Sequence, residues 1–424
     1  MKHLIMVLIL PLLLLAVGCS SDEDTTAGQG GEKGKEQQDT TTLVDKNVLT
    51  ELQQAFVTTG NDFAFRVLRL ALQEESEGEK KGLVLSPLSM GTLLAMVANG
   101  GSEKTQREIM DFLGMSKAPV AAMNEYFRLM ASQLTKSDTA VTFESANALF
   151  VNKRFELADA FQKSASTYYQ AESAALDFNS ENAAKTINQW ASEKTHGMID
   201  KVIKNTSDED ACYALNAIYF KGKWAKGCQF DSLLTQEEPF GTKARLPMMQ
   251  LKSKLAYTET EDVQIVRLSY GNGAFGMTIL LPREGLEPQQ LAAQLDGNSF
   301  REFTKQLSHR DIDLRMPRFE ILTSEKDLLK MLPALGINAL TNPAEGLPLL
   351  CKKQELPIIL SQLSQTAQIK VSEEGTEAAA VTEGVITPVS IDEWLPVYLN
   401  RPFLFVISEL QTEAILFVGC FDAE

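Results

Sequence analysis

The chain has 424 residues, 44% of them hydrophobic and 8% aromatic, and Gly and Pro are not enriched, so there is enough apolar material for a sizeable core and most of the chain should fold. The 40 Lys and Arg stand against 56 Asp and Glu for a formal charge of −16. That argues against nucleic acid as a partner, since phosphate binding needs a basic face; net charge of this size serves solubility.

Met1-Lys2-His3 is a short charged start, and Leu4 to Leu15 is an apolar run broken only by Pro11. The run is too short to span a bilayer and reads as the core of a signal peptide. Ala16-Val17-Gly18-Cys19 follows and resembles a bacterial lipobox, with Ala16 where that pattern prefers Leu. Residues 1–18 are therefore expected to be a lipoprotein-type signal peptide, and Cys19 to be lipidated. An ordinary signal peptide followed by a chance cysteine is the alternative. A lipoprotein carries two or three acyl chains, which makes attachment stable. Residues 19–44 are polar and acidic with almost nothing apolar and are expected to be a disordered tether. Ser21-Asp22-Glu23-Asp24 resembles the acidic signal that exports some lipoproteins to the outer surface, although acidic residues also suit a plain solvated tether. The expected location is the cell envelope, as a surface-exposed lipoprotein of a bacterial outer membrane.

No Pro/Gly/Ser-rich linker divides the remainder, so 45–424 reads as one domain. Phe56, Phe63, Val67, Leu68 and Leu72 recur at helical spacing. Gly82 to Leu85 is a short apolar strand, and Ser86-Pro87 then opens a helix from Leu88 to Asn99, with Ser86 as N-cap. Ser102 to Leu113 is a further helix, stopped by Gly114. Thr142 to Val151 alternates as a strand, Ala183 to Val202 reads as a helix, and Tyr213 to Phe220 as an apolar strand. Beyond it the chain is expected to be mostly strand and turn, as at Val263–Leu268, Gly276–Leu281 and Ile312–Met316. Helices first and sheets later indicate an α+β fold.

The chemistry of an enzyme is missing. Of three His, His3 leaves with the signal, and neither His196 nor His309 sits in a His-Glu-x-x-His motif. There is no Gly-x-Ser-x-Gly elbow and no Ser-x-x-Lys pair. Cys212, Cys228, Cys351 and Cys420 show no Cys-x-x-Cys spacing; export permits disulfides, but the spacings name no pairing. Neither metal nor cofactor is expected, and the chain reads as a non-enzyme.

One family accounts for the pattern. Ser86-Pro87-Leu88-Ser89, Asn216-Ala217-Ile218-Tyr219-Phe220-Lys221-Gly222-Lys223-Trp224, Pro247-Met248-Met249, Leu280-Leu281-Pro282, Met316-Pro317-Arg318-Phe319, Arg401-Pro402-Phe403-Leu404-Phe405 and Ile415-Leu416-Phe417-Val418-Gly419 resemble the motifs of serpins, in serpin order. Glu373-Glu374-Gly375-Thr376-Glu377-Ala378-Ala379-Ala380 resembles the hinge of that family's reactive loop. The resemblance implies about nine helices, three β-sheets, an exposed reactive-centre loop and a central, mostly parallel sheet able to gain a strand. It also implies a mechanism: a serine protease attacks the loop, an acyl-enzyme forms, and the cleaved loop inserts into the sheet and distorts the protease before hydrolysis finishes. Ser86, Ser89, Asn216 and Gln365 would line the gap that opens. Gln365 stands where the family usually has His, though Gln can still bridge by hydrogen bonds. Trp224 and Arg318 would sit at the top of the gap, with Arg318 paired to Glu373.

The loop composition supports insertion by itself. Thr376, Ala378, Ala380, Thr382 and Gly384 form one alternate set, all small or neutral, while Glu377, Ala379, Val381 and Glu383 form the other and hold both charges. Such a segment can enter a crowded sheet with its charges toward solvent. Roughly 14 new ladder residues at about 0.5–1.5 kcal/mol each would contribute on the order of 10 kcal/mol. The family count from Glu373 places the cleaved bond at Val389-Ser390, flanked by Ile386, Thr387 and Pro388, with Thr387 as rival for the attacked residue. A small β-branched side chain suits the shallow apolar specificity site of elastase-like proteases. The expected partners are such a protease and, through the lipid anchor, a membrane, with the protein monomeric. The runner-up reading is a non-inhibitory serpin acting as a surface binding or carrier lipoprotein.

Overall fold

The computed structural model describes residues 49–75, 82–353, 358–376 and 394–423. The expected signal peptide, Cys19 and the tether to residue 44 lie outside the described residues.

Eight α-helices are present among the described residues: α1 Glu51–Glu75, α2 Pro87–Ala98, α3 Glu103–Phe112, α4 Val120–Leu134, α5 Asp159–Tyr169, α6 Glu181–Lys194, α7 Pro288–Gln294 and α8 Gly297–Gln306. The periodic residues of α1, from Phe56 to Leu72, are buried. Ser86 caps α2 by accepting from the Ser89 N–H at 3.4 Å, and Pro87 occupies a first-turn position that has no use for an N–H. Helix α2 is buried on nearly every side, as a helix at the centre of a large domain must be.

Helix α6 stops at Lys194, short of the expected Val202. The Thr195 hydroxyl donates to the Ala191 carbonyl at 2.8 Å and accepts the Ile199 N–H at 2.9 Å. His196 and Gly197 then take positive φ of 53° and 81°, which turns the chain out of the helix. Ile199 and Val202 are still buried, but by packing of the segment that follows. Helices α7 and α8 interrupt the stretch expected to be strand and turn. Both begin with capping boxes, Glu287 with Gln290 and Asp296 with Ser299, which the apolar pattern did not register.

Among the described residues the strands gather into two hydrogen-bonded sheets where three were expected. The first contains β1 Leu83–Leu85, β5 Gln236–Phe240, β6 Ala244–Glu259, β7 Val263–Tyr270, β8 Phe275–Pro282, β9 Ser308–Pro317, β13 Leu395–Tyr398, β14 Phe403–Glu409 and β15 Ile415–Phe421. Its order is β1-β15-β14-β8-β7-β6-β9-β13, with β5 on β6. Strand β6 is 16 residues long; it pairs with β5 at its start, with β9 from Met248 to Tyr257 and with β7 at its end, and so joins what would otherwise be two sheets. The second sheet contains β2 Val141–Asn152, β3 Glu172–Leu176, β4 Cys212–Lys223, β10 Phe319–Asp327, β11 Gln362–Ser372 and β12 Gly375–Thr376, in the order β10-β11-β12-β4-β2-β3.

This second sheet is covered on both faces over part of its area. The large core lies on one side, and on the other Phe178 just before α6, Ile187 and Trp190 on it, and Ile199 and Val202 in the segment after it pack onto Phe150, Tyr213, Leu215 and Ala217. Strand β4 is therefore buried without alternation from Cys212 to Phe220, which is why its sequence reads as one apolar run. Among the described residues, Cys212, Cys228, Cys351 and Cys420 form no disulfide and are buried.

Candidate functional site

Strand β11 ends at Ser372, Glu373 and Glu374 turn the chain, and β12 returns between β11 and β4. Thr376 pairs with Val371 on one side and Gly222 on the other, and Gly375 with Ser372 and Lys223. Only glycine fits at 375: its φ is +148°, and a Cβ there would stand 2.1 Å from the Gly222 carbonyl oxygen.

The turn is fastened from several elements. The Arg318 guanidinium donates to both carboxylate oxygens of Glu373, at 3.1 and 2.5 Å, and the Thr235 hydroxyl donates to the same group at 2.7 Å. Burial alone would push Glu373 up, but the hydrogen bonds from Arg318 and Thr235 outweigh it and hold the carboxyl below its ordinary range. Trp224 donates from its indole to the Ser372 carbonyl at 2.9 Å and from its backbone to the Glu374 carbonyl at 2.8 Å. Its ring stacks on Tyr270 with centroids 4.5 Å apart, and the Tyr270 hydroxyl meets the Thr376 hydroxyl at 2.7 Å. Sequence reasoning named Trp224, Arg318 and Glu373. It missed Thr235 and Tyr270, because neither carries a local signal and each meets the hinge from more than 100 positions away.

Below the turn, β11 and β4 form a parallel ladder from Gln362–Tyr213 to Ala367–Ile218. Among the described residues no ladder joins Gln368, Ile369 and Lys370 to Tyr219, Phe220 and Lys221. The two strands are thus zipped at the bottom, parted over three rows, and plugged by β12 at the top.

Ser86, Ser89, Asn216 and Gln365 come together at the zipped part, and all are buried. The Gln365 amide accepts from the Ser86 N–H at 2.8 Å, and donates to the Ser86 carbonyl at 2.9 Å and to Asn216 Oδ1 at 3.2 Å. Asn216 donates onward to Ser145 Oγ and Asn147 Oδ1, both at 3.0 Å. The Ser86 hydroxyl contacts Ser89 Oγ and donates to the Leu416 carbonyl at 2.7 Å. Gln365 thus ties β11 to the start of α2 and to β4 with both ends of its amide.

Glu377, Ala378, Ala379 and Ala380 of the hinge, and Ile386, Thr387, Pro388, Val389 and Ser390 of the bait, lie outside the described residues. The register of β12 nonetheless fixes what continued pairing would place beside each of them. Thr376, buried between Val371 and Gly222, defines the inward parity. Continued in step, Ala380 would meet Ala367 and Ile218, and Thr382 would meet Gln365 and Asn216. On the other face, Val381 and Glu383 would lie beside Ala217 and Leu215, which α6 covers. In the uppermost row of that face Lys221 and Lys370 are exposed, whereas one turn of the pleat lower Tyr219 is buried with the His196 ring 4.8 Å from its own.

A model of the family described as serpin (serine protease inhibitor) matches residues 58–422. Alpha-1-antitrypsin 1-3 of Mus musculus is 31% identical over 372 residues, spanning 85% of this chain and 87% of that protein. Among solved structures, the thermophilic serpin Tengpin in its native state superposes with a TM-score of 0.80 at 25% identity, covering 90% of this chain and 96% of that one. Thyroxine-binding globulin in complex with thyroxine gives a TM-score of 0.76 at 25% identity, over 86% of this chain and 98% of that one.

Proposed function

Because the chain belongs to the serpin family, a family of protease inhibitors matched here over residues 58–422, we propose that it traps elastase-like serine proteases by loop insertion. The observation that carries this reading is β12: two hinge residues already sit as a strand between β4 and β11, above three parted rows. A protease serine attacks the Val389 carbonyl, the bond to Ser390 breaks, and the Ser390 amine departs while the protease stays esterified to Val389. The freed strand then extends β12 downward row by row, and each row exchanges a solvated backbone for two ladders. The energy gained pulls the acyl-enzyme from its bait position before water completes the ester hydrolysis. The protein acts as a consumed substrate and not as a catalyst.

The choice of protease rests on Thr387, Pro388 and Val389, and the absence of Lys and Arg between Glu373 and Arg401 disfavours trypsin-like enzymes. The reading also includes anchorage through Cys19 to a bacterial outer membrane, with the inhibitory domain held outward by the 19–44 tether. Mixing the protein with pancreatic or neutrophil elastase tests the core of it: the expected result is an SDS-resistant complex with the protease. A second reading, a surface carrier, is favoured by the likeness to thyroxine-binding globulin. It predicts cleavage of the loop with free, active elastase left over.

A further inference from the structure

The row directly below the seated hinge carries an unusual charge arrangement. Thr376 pairs with Val371 and Gly222, so the next row is flanked by Lys370 on β11 and Lys221 on β4. Both side chains are exposed, and both face away from the core, opposite in parity to Thr376. Two like charges thus face each other across a slot one strand wide, about 9–10 Å from backbone to backbone. Like charges opposed across a sheet are destabilising. Beyond Lys370 the row continues to Glu320 on β10, its register partner, with Lys370 Nζ 3.7 Å from the Glu320 carboxylate. The row therefore reads negative, positive, slot, positive.

We propose that Lys221 and Lys370 form a clip for the carboxylate of Glu377, the residue that follows Thr376 in sequence, and that this clip captures the first step of insertion. The proposal rests on the inhibitory reading and names positioning residues within it. Glu377 is the occupant because the register leaves no other residue of the continued strand for that row, and because its side chain shares the parity of the two lysines. Its arrival completes an alternating row, Glu320, Lys370, Glu377, Lys221, and turns the repulsion across the slot into two attractions. The row lies on the open upper part of the sheet, above the area covered by α6, so the carboxylate arrives without being buried. Insertion then gains a foothold before the zipped ladder at Ala367–Ile218 has to part.

A double-mutant cycle tests this. Its corners are the unaltered protein, the Lys221→Met/Lys370→Met pair, Glu377→Gln, and all three changes together. Two quantities are read for each: the number of inhibitor molecules consumed per elastase trapped, and the rise in thermal midpoint when the loop is cleaved. The second, a difference within one variant, cancels any effect on native folding. The lysine pair and Glu377→Gln should each raise consumption several-fold and shrink the rise. The triple variant should be no worse than Glu377→Gln alone, because the lysines have nothing left to hold. Losses that add independently, no change in either quantity, or a change confined to the uncleaved midpoint overturns the clip. If the unaltered protein forms no complex and shows no rise on cleavage, the inhibitory reading falls and takes this inference with it.

Discussion

Gln365 satisfies both backbone groups of Ser86 with one amide. Its truncation would leave a buried N–H and a buried carbonyl without these partners, at a cost of about 1–3 kcal/mol. Gln365→Ala should therefore loosen the zipped part of the sheet, seen as a lower denaturant midpoint and faster polymer formation on warming; an unchanged monomer lifetime would show that another group holds the gap shut. Glu373 gives a pH dependence. Its carboxyl is held below the ordinary value of 4.5 by Arg318 and Thr235, so its contribution is complete above that value and is lost as pH falls through the lower folded value. Acidification through that range should release the hinge turn, detectable as a change in fluorescence of Trp224, which bonds to Ser372 and Glu374 on either side of it. A signal flat from neutrality to below the carboxylate range would contradict this. Because the pair is partly solvated, Glu373→Lys acts less through the lost attraction, about 0–1 kcal/mol for an exposed pair, than through a second cation placed beside Arg318.

At the scale of the strand, the register of β12 converts an alternation in sequence into specific neighbours. An arginine at 380 would be pressed between Ala367 and Ile218, both fully buried, where an unpaired guanidinium is strongly disfavoured. Ala380→Arg should therefore make elastase cleave the loop and escape. The control is Ala379→Arg, whose row is flanked by Tyr219, buried beside the His196 ring, and by Gln368, which is partly exposed; a guanidinium there can reach water past Gln368, so the variant should still yield covalent complex. Val381, the natural choice from alternation alone, is a poor control because its row includes Ala217 beneath α6. Equal trapping by the 379 and 380 variants would show that the strand enters in another register. If the loop inserts as proposed, α6, which covers Ala217, must yield before the strand can pass that row.

For the whole molecule, the proposed lipid anchor is the first thing to test. Cys19→Ala should move the protein from the membrane fraction to the soluble fraction with elastase trapping unchanged; retention in membranes would defeat the lipobox reading. The sequence by itself determined whatever depends on neighbours along the chain. The cap and proline that open α2, the hinge glycine, the small inward residues of the loop and the paired strand motifs are all short-range patterns, and they carried the α+β fold and the family. Only the tertiary structure decided which strands Gly375 and Thr376 lie between, which groups Gln365 bridges, how Thr235 and Tyr270 reach the hinge, that α6 ends at Lys194 and covers Leu215 and Ala217 of β4, and that the long β6 fuses two sheets into one. Each of these is set by residues far apart in the chain, brought together by burial of a shared core, and spacing along a sequence carries no record of such contacts.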